Sequence, residues 1–261
     1  MDIRQQKQYK ILLIGDSCED IYHYGVCERL SPEAPVPVLK QHKTEKKAGM
    51  SSNVKLNLES FSMDVTHFHN TEVMKKHRLV DIRYNQHLLR LDEGEDVVVE
   101  PFDINMLSVD HSRNIDAVVL SDYNKGFLSG DVLAQICATF KDKPIFVDSK
   151  KQDLSSLTGC IVKINEKEFD SLTDIPKDSS FVVTLGERGA LYDGEIYSTE
   201  RTEVFDVCGA GDVFLSGLVF GWLESRKMPA AINFANKCAE LSVSKMGTYV
   251  LTKEDVDDLC V

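Results

Sequence analysis

A short glycine-rich stretch late in the chain carries the residues for chemistry on a phosphoryl group. Gly209, Ala210 and Gly211 precede Asp212, and the apolar run 213–222 follows directly. Small residues let a ligand approach the backbone closely, and the free N–H groups at a helix start bind anions. An aspartate on the first turn can take a proton from an attacking hydroxyl. The same residues also suit an ordinary helix start, at which Asp212 only interacts with the helix dipole.

A second pair of polar residues follows an apolar run. Asn165 and Glu168 come after residues 161–164 and are three apart, so they share one face of a helix. An amide and a carboxylate at the carboxyl end of a parallel strand could hold the water shell of Mg²⁺, which prefers oxygen ligands. Taken alone, the pair is more typical of a solvated helix start.

A third feature lies where another apolar run ends. Thr184, Gly186 and Gly189 suit either a loop that binds nucleotide phosphates or a plain hairpin turn. The chain contains no Walker-type phosphate-loop sequence, which excludes that class of nucleotide site. The first strand ends in Gly15, but Asp16 follows it where a dinucleotide-binding motif needs another glycine.

These residues must be positioned by the elements around them. Short β-branched runs alternate with helical stretches, which predicts a mostly parallel sheet with helices on its faces. Prolines exclude a helix from about 22–42 and polar–apolar alternation marks about 78–99, so we expect these segments to form a small separate sheet. The predicted strands are 9–15, 63–68, 117–121, 144–148, 160–164 and 181–185. The predicted helices are 52–61, 129–140, 166–171, 211–225 and 229–245.

Composition and charge narrow the class of protein. A chain of 261 residues with 43% hydrophobic and 28% charged residues predicts one globular domain over 1–261. The net charge of −12 argues against binding to nucleic acid or to an anionic membrane, which favour basic surfaces. It still allows a phosphorylated ligand in one locally positive cleft.

The location of the protein is predicted from its cysteines and its apolar runs. Seven cysteines without metal-ligand spacing indicate reduced thiols in the cytoplasm. The polar residues 1–10 do not resemble a signal peptide, and no apolar run is long enough to span a bilayer.

Five stretches of sequence carry a family resemblance. They are 29–38 (RLSPEAPVPV), 85–92 (NQHLLRLD), 121–126 (SDYNKG), 147–150 (VDSK) and 205–212 (FDVCGAGD). Together with the Asn-x-x-Glu pair and the Gly-Asp after the first strand, they resemble the ribokinase-like, phosphofructokinase-B type carbohydrate kinases. Within that family the likeness is closest to the kinase domain of the D-glycero-β-D-manno-heptose 7-phosphate kinases. The first stretch is far more specific than Gly-Ala-Gly-Asp.

The resemblance implies an α/β fold, a ribokinase-like three-layer α/β/α sandwich with a mostly parallel central sheet and a small β-lid. By the same likeness Asp212 is the catalytic base, and the amides of Gly209, Ala210 and Gly211 stabilise the transferring phosphoryl group. Asn165 and Glu168 are implied to organise Mg²⁺ through water. The residues implied to line the ATP site are Thr184, Gly186, Gly189 and Asn236. The residues implied to bind substrate are Asp16, Asp20, Asn53, Asp122 and, for a substrate phosphate, Arg90 and Lys150.

The implied reaction is phosphorylation of the anomeric hydroxyl of D-glycero-β-D-manno-heptose 7-phosphate by ATP, giving the 1,7-bisphosphate. The implied partners are the sugar phosphate, ATP and a second copy of the chain bound through the lid. Two alternatives stay open: a kinase for another sugar or sugar phosphate, and a catalytically weak protein that binds sugar or nucleotide.

Three departures from the family pattern accompany the resemblance. Met50 stands where the family usually has the second of two glycines, and Cys208 where heptose kinases usually have threonine. Only about ten residues separate Phe68 from Arg78, where the family normally has several tens. We also expect the chain to lack the adenylyltransferase domain that accompanies some heptose kinases.

Overall fold

The protein is described by a computed structural model over residues 8–107, 114–176, 178–200 and 203–260. The strands are β1 (Lys10–Gly15), β2 (Ser17–Leu30), β3 (Pro37–Met50), β4 (Asp64–His69), β5 (Lys75–Asp81), β6 (Gln86–Glu93), β7 (Ala117–Asp122), β8 (Ile145–Ser149), β9 (Ile161–Asn165), β10 (Ser180–Thr184), β11 (Ala190–Tyr192) and β12 (Glu195–Tyr197). The helices are α1 (Ser51–Ser60), α2 (Gly130–Thr139), α3 (Glu166–Asp170), α4 (Ala210–Ser225), α5 (Met228–Val243) and α6 (Lys253–Leu259).

The larger sheet has eight strands in the order β12-β11-β10-β9-β8-β7-β1-β4. From β4 to β10 all neighbours are parallel, and β11 and β12 add an antiparallel edge. The six strands predicted from sequence are confirmed to within about two residues. β11 and β12 were not predicted, because three residues each are too few to show a period.

Both faces of this sheet are covered by helices. Ile11 and Leu13 of β1 pack in the core shared with α1, α4 and α5, whereas Leu12 and Ile14 pack in the core shared with α2. Successive side chains of a strand point to opposite faces, so a strand buried on both sides reads as one apolar run. The arrangement confirms the predicted three-layer α/β/α sandwich.

A second sheet, which we call the lid, consists of β2, β3, β5 and β6 in the order β3-β2-β5-β6. The prediction of a small separate sheet is confirmed, but its bounds of about 22–42 and 78–99 were wrong. The strands begin at Ser17, reach Met50 and end at Glu93, so 94–99 lies outside them. Residues 18 and 20–22 are all buried against the body, and this part of the hairpin therefore lacks the alternation that marks a half-exposed strand.

Two groups of contacts join the lid to the segments that flank α4 and α5. Tyr22 Oη lies 2.9 Å from Thr248 Oγ1, which follows α5, and the Thr248 hydroxyl donates to Asp20 Oδ2 at 2.9 Å. On the outermost lid strand, His87 Nε2 lies 3.2 Å from Asp206 Oδ2 in the loop before α4. The lid thus rests on the segments that flank α4 and α5.

Candidate active site

A row of side chains crosses the large sheet beneath the start of α4. The strand register pairs Gly15 with Ser121, Ser121 with Asp148, and Asp148 with Lys163. Leu13, two residues before Gly15, faces the core of α1 and α4, so the whole row faces those helices. Because the strands are parallel, their carboxyl ends collect these polar groups at one edge, where α/β sheets bind ligands.

Asp212 lies on the first turn of α4 and is only 4% exposed. The Tyr123 hydroxyl donates to its Oδ1 at 2.7 Å, and the Asn53 amide donates to its Oδ2 at 2.9 Å. Burial raises the pKa of Asp212, while these two hydrogen bonds stabilise the ionised form and act against that rise. The carboxylate is therefore held in one orientation with lone pairs left for a substrate hydroxyl.

The amide that holds Asp212 is itself held in place. Leu251 N donates to Asn57 Oδ1 at 3.0 Å, and Asn57 Nδ2 donates to Asn53 Oδ1 at 3.2 Å. This chain of amides determines which end of the Asn53 side chain faces Asp212. Sequence reasoning placed Asn53 at the substrate, and the structure brings it to the base.

Small residues are required where α4 begins. Gly209 has a φ of 78°, in the left-handed region that favours glycine, and a Cβ there would lie 3.0 Å from Asn53 Nδ2. A Cβ on Gly211 would lie 2.8 Å from Lys163 Nζ. The Ala210 N–H donates to Val207 O at 3.2 Å and closes the preceding turn. The helix start therefore presents backbone and a nearby ammonium group rather than side chains.

Lys163 is a functional candidate that sequence reasoning missed. It is 3% exposed, and its Nζ lies 2.6 Å from Asp148 Oδ2. Burial favours a higher pKa for Asp148, but Lys163 and Lys150 outweigh that effect and lower it. The available signal was a single lysine inside the apolar strand 161–164. A buried ammonium group beside Gly211 adds positive charge where a phosphoryl group would pass.

A cavity of about 610 Å³ opens on the other side of the α4 start. All four residues predicted for the nucleotide site, Thr184, Gly186, Gly189 and Asn236, line it. Its remaining wall includes Ala210, Gly211 and the apolar side chains of Val204, Val207, Phe214, Ala239 and Val243. The size and the apolar wall suit a nucleotide base, and the far end meets the α4 start.

Asn165 and Glu168 cap each other across the start of α3. Glu168 N donates to Asn165 Oδ1 at 2.9 Å, Asn165 N donates to Glu168 Oε2 at 3.0 Å, and Lys150 Nζ lies 2.8 Å from Glu168 Oε1. Amide and carboxylate oxygens fit the ligand chemistry of Mg²⁺. Because each oxygen is already engaged, the pair fits a metal that keeps its own water shell.

Asp16, one of the predicted substrate residues, lies beneath the loop that carries Tyr123. Asp16 is fully buried and accepts hydrogen bonds from the backbone N–H groups of Tyr123, Lys125 and Phe127 at 2.7, 3.4 and 3.4 Å. Burial and then the Asp122 charge raise the pKa of Asp16. These contacts shape the loop beside the base, and a contact of Asp16 with sugar stays a prediction.

Asp122 follows Ser121 on β7 and therefore points to the opposite face of the sheet. Its carboxylate accepts from Ser149 Oγ at 2.6 Å and Lys151 Nζ at 2.9 Å. Its predicted role at the substrate also stays a prediction.

The two predicted lid residues are both ion-paired. Asp20 lies within β2, where Arg78 NH1 reaches its Oδ1 at 2.5 Å in a buried pair. Arg90 on β6 pairs with Asp92 through two nitrogen atoms. Sequence reasoning missed Arg78 because its partner lies 58 residues away in the chain.

The described ranges contain neither a metal-binding cluster nor a membrane-spanning helix. In residues 8–107, 114–176, 178–200 and 203–260, no three histidine, cysteine, aspartate or glutamate side chains are grouped to hold a metal ion. None of the helices in those ranges is long and apolar enough to cross a membrane.

Comparison with known proteins places this geometry in a family. The model of the pfkB family of carbohydrate kinases matches residues 110–255, which is more than half of the chain. The bifunctional protein HldE of Helicobacter pylori (strain J99) is 32% identical over 302 residues, covering 95% of this chain and 65% of that protein. The chain thus spans slightly less than two thirds of that relative.

Solved structures share the fold. Ribokinase from Thermotoga maritima superposes with a TM-score of 0.71 at 14% identity, covering 97% of this chain and 99% of that one. Ribokinase from Arabidopsis thaliana, solved with ribose and ATP, gives 0.68 at 16% identity and covers 97% and 98%. These matches confirm the ribokinase-like α/β fold predicted from sequence.

Proposed function

Because the chain belongs to the pfkB family of carbohydrate kinases, we propose that it phosphorylates the anomeric hydroxyl of D-glycero-β-D-manno-heptose 7-phosphate with ATP. Phosphoryl transfer from ATP to a sugar hydroxyl is the chemistry of the family. The choice of a heptose phosphate is supported by the five sequence stretches described above, of which 29–38 is the most specific.

The position of Asp212 supports the proposal most strongly. On one side of the α4 start lies the cavity that Ala210 and Gly211 line together with every predicted nucleotide residue. On the other side the Asp212 carboxylate is held by Tyr123 and Asn53, beside the lid. A base held next to both the nucleotide cavity and the lid suits transfer between two bound substrates.

In the proposed reaction the sugar hydroxyl oxygen forms a bond to the γ-phosphorus of ATP while the bond from that phosphorus to the β,γ-bridging oxygen breaks. Asp212 takes the hydroxyl proton, and ADP leaves with the bridging oxygen. The backbone at the α4 start and the Lys163 ammonium group stabilise the charge on the transferring group, since such transfer depends on positioning and electrostatics. Mg²⁺ held near Asn165 and Glu168 would neutralise phosphate charge.

The decisive experiment measures ADP release by a coupled assay with a panel of sugars and sugar phosphates. Asp212→Asn keeps the shape of the side chain and removes the base, so kcat should fall by about 10²–10⁴-fold while ATP still binds. Asp257→Asn, at an exposed position on α6, is the matched control and should leave kcat unchanged. Unchanged turnover in Asp212→Asn would contradict the assigned mechanism.

The panel separates the proposal from its alternatives. A clear preference for ribose, fructose or another sugar phosphate would remove the heptose substrate and leave the kinase. Normal binding of nucleotide and sugar phosphate without turnover of any acceptor would favour a binding protein. That second candidate is supported by Met50, a buried methionine at the start of α1 where the family usually has glycine.

We also propose that the protein acts in the cytoplasm as a homodimer joined through the outer face of the lid. Leu89 and Leu91 flank Arg90 on β6, so they lie on the face opposite to it, and they are 59% and 57% exposed. Exposed leucines side by side favour an interface. Sedimentation velocity at micromolar concentration should give the mass of a dimer, and a monomer would contradict this assignment.

A further inference from the structure

Lys76 occupies a central position on the inner face of the lid. The register of β5 places it directly between Asp20 of β2 and Asp92 of β6. It is two residues from Arg78, which is buried against the body, so both side chains point inward. A half-buried lysine between two aspartates would ordinarily pair with one of them.

Both of those carboxylates already have a cation of their own. Asp20 pairs with Arg78 at 2.5 Å, and Asp92 is held by two nitrogen atoms of Arg90. Within the described parts of the chain, Lys76 forms no ion pair with a carboxylate. Its ammonium group is therefore a positive charge on the inner face of the lid that has no ion-pair partner there.

The Lys76 ammonium group faces the active site. Its Nζ lies 5.4 Å from the centre of the Tyr123 ring, and the Tyr123 hydroxyl donates to Asp212 Oδ1 at 2.7 Å. Lys150 Nζ reaches the same ring from the body, 5.6 Å from its centre. One tyrosine side chain thus separates the base from two ammonium groups.

The two lysines differ in their surroundings. Lys150 Nζ lies 3.0 Å from Asp148 Oδ1 and 2.8 Å from Glu168 Oε1. Its position is fixed by the body of the protein. Lys76 has no such pair and can turn its ammonium group toward a ligand between lid and body.

We propose that Lys76 binds the phosphate that the acceptor sugar already carries, and so selects a sugar phosphate over the neutral sugar. An ammonium group binds phosphate as a compact point charge. Lys76 takes this role in place of Arg90, which is engaged by Asp92. The inference rests on the proposed function, because it concerns the acceptor of that reaction.

The test compares D-glycero-D-manno-heptose 7-phosphate with the same heptose lacking its phosphate, by isothermal titration calorimetry and by kinase assay. In Lys76→Met, affinity for the heptose phosphate should fall about 10- to 100-fold, as expected for loss of a charge-assisted hydrogen bond, and affinity for the neutral heptose less than about twofold. Lys76→Arg keeps the charge and should keep the preference. Lys75→Met, whose side chain points outward and pairs with Glu93, is the matched control and should change neither affinity.

The outcomes are distinct. Equal losses for both sugars would show a packing role and overturn the inference, as would an unchanged ratio of the two affinities. A rise confined to the KM for ATP would assign Lys76 to the nucleotide phosphates and also overturn it. If wild type binds the heptose phosphate through Lys76 but does not turn it over, the proposed function fails and the phosphate site stands.

Discussion

The carboxyl edge of the large sheet and the inner face of the lid both face Asp212, yet they hold their polar groups differently. At the sheet edge, Asp148 and Lys163 are placed by the register of neighbouring parallel strands and are both 3% exposed. On the lid, Asp20 and Arg78 pair across β2 and β5, and Lys76 has no ion-pair partner among the described residues.

The charges at the sheet edge and the charges on the lid suit two different tasks. Charges locked into a buried sheet edge cannot move far, which suits stabilisation of a reacting group that must be met with little reorganisation. An ammonium group without an ion-pair partner on the lid can adjust to a bound ligand. We therefore propose that the sheet edge serves the chemistry and the lid serves the selection of the substrate, and substitutions in each region can test this division.

Arg78→Leu should produce the largest change, and it should be a change in stability. It leaves Asp20 charged and buried without its cation, so the free energy of unfolding should fall by about 3–5 kcal/mol. Urea unfolding of this variant and of Arg188→Leu gives the comparison. Arg188 pairs with Glu166 at an exposed site, so its loss should alter stability by about 0–1 kcal/mol. Similar small losses in both would show that the lid pair is solvated.

Lys163→Met tests the sheet edge. Removal of a buried cation beside Gly211 should lower kcat by about 10²–10³-fold, the range for loss of one group that stabilises transition-state charge. The exposed Lys167→Met is the control for loss of a lysine nearby. Lys163→Arg should recover part of the rate. A kcat that stays at the wild-type value in Lys163→Met would make Lys163 only a partner for Asp148.

Tyr123→Phe tests the hydrogen bond at the junction of the two regions. The bond lowers the pKa of Asp212 against the larger effect of burial, so its loss should raise that pKa. Since the base must be ionised, the acid limb of the profile of kcat/KM against pH should move to higher pH. Activity on that limb should fall about tenfold, as for a hydrogen bond to a charged group. Tyr84→Phe, at an exposed site, is the control and should not shift the pH profile. An unshifted profile in Tyr123→Phe would show that the Tyr123 hydroxyl has no influence on the base.

The smallest effect is expected at Met50, where the glycine variant should be more stable than the alanine variant. Its backbone angles, φ 55° and ψ −134°, lie in a region that is strained for any residue with a side chain. Met50→Gly and Met50→Ala both remove the buried side chain, but only glycine relieves the backbone, so the glycine variant should be more stable by about 1 kcal/mol. At the equally buried Met74, which has no positive φ, alanine should be the more stable of the two. Thermal unfolding of the four variants measures these differences in stability.

Much of the fold could be predicted because it depends on local patterns of residues in the sequence. Apolar runs of five or six residues between helical stretches predicted the six strands, and the glycines before Asp212 predicted the start of α4 almost to the residue. The structure places the four residues predicted for the nucleotide site, 184, 186, 189 and 236, around one cavity. Of these, Thr184 ends the parallel strand β10, whereas Asn236 reaches the cavity from α5.

The lid was predicted less well for a physical reason. Residues 20–22 of β2 are buried in succession, so this part of the lid lacks the alternation of a half-exposed strand, and the predicted lid began only at about residue 22. Pairings such as Asp20 with Arg78 and Asp16 with the backbone at 123–127 join distant parts of the chain, and no local spacing reveals them.

The layered α/β fold, the family and Asp212 as the candidate base could be predicted from the amino-acid sequence, because they depend on periodicity, glycine conformation and ordered motifs. Which charges are neutralised is fixed by the folded protein. It engages Arg90 with Asp92, buries Asp16 under a loop, brings Lys163 to Gly211 and leaves Lys76 facing Tyr123. Electrostatic pairing depends on distances across strands and between sheets, and those distances exist only once the chain has folded.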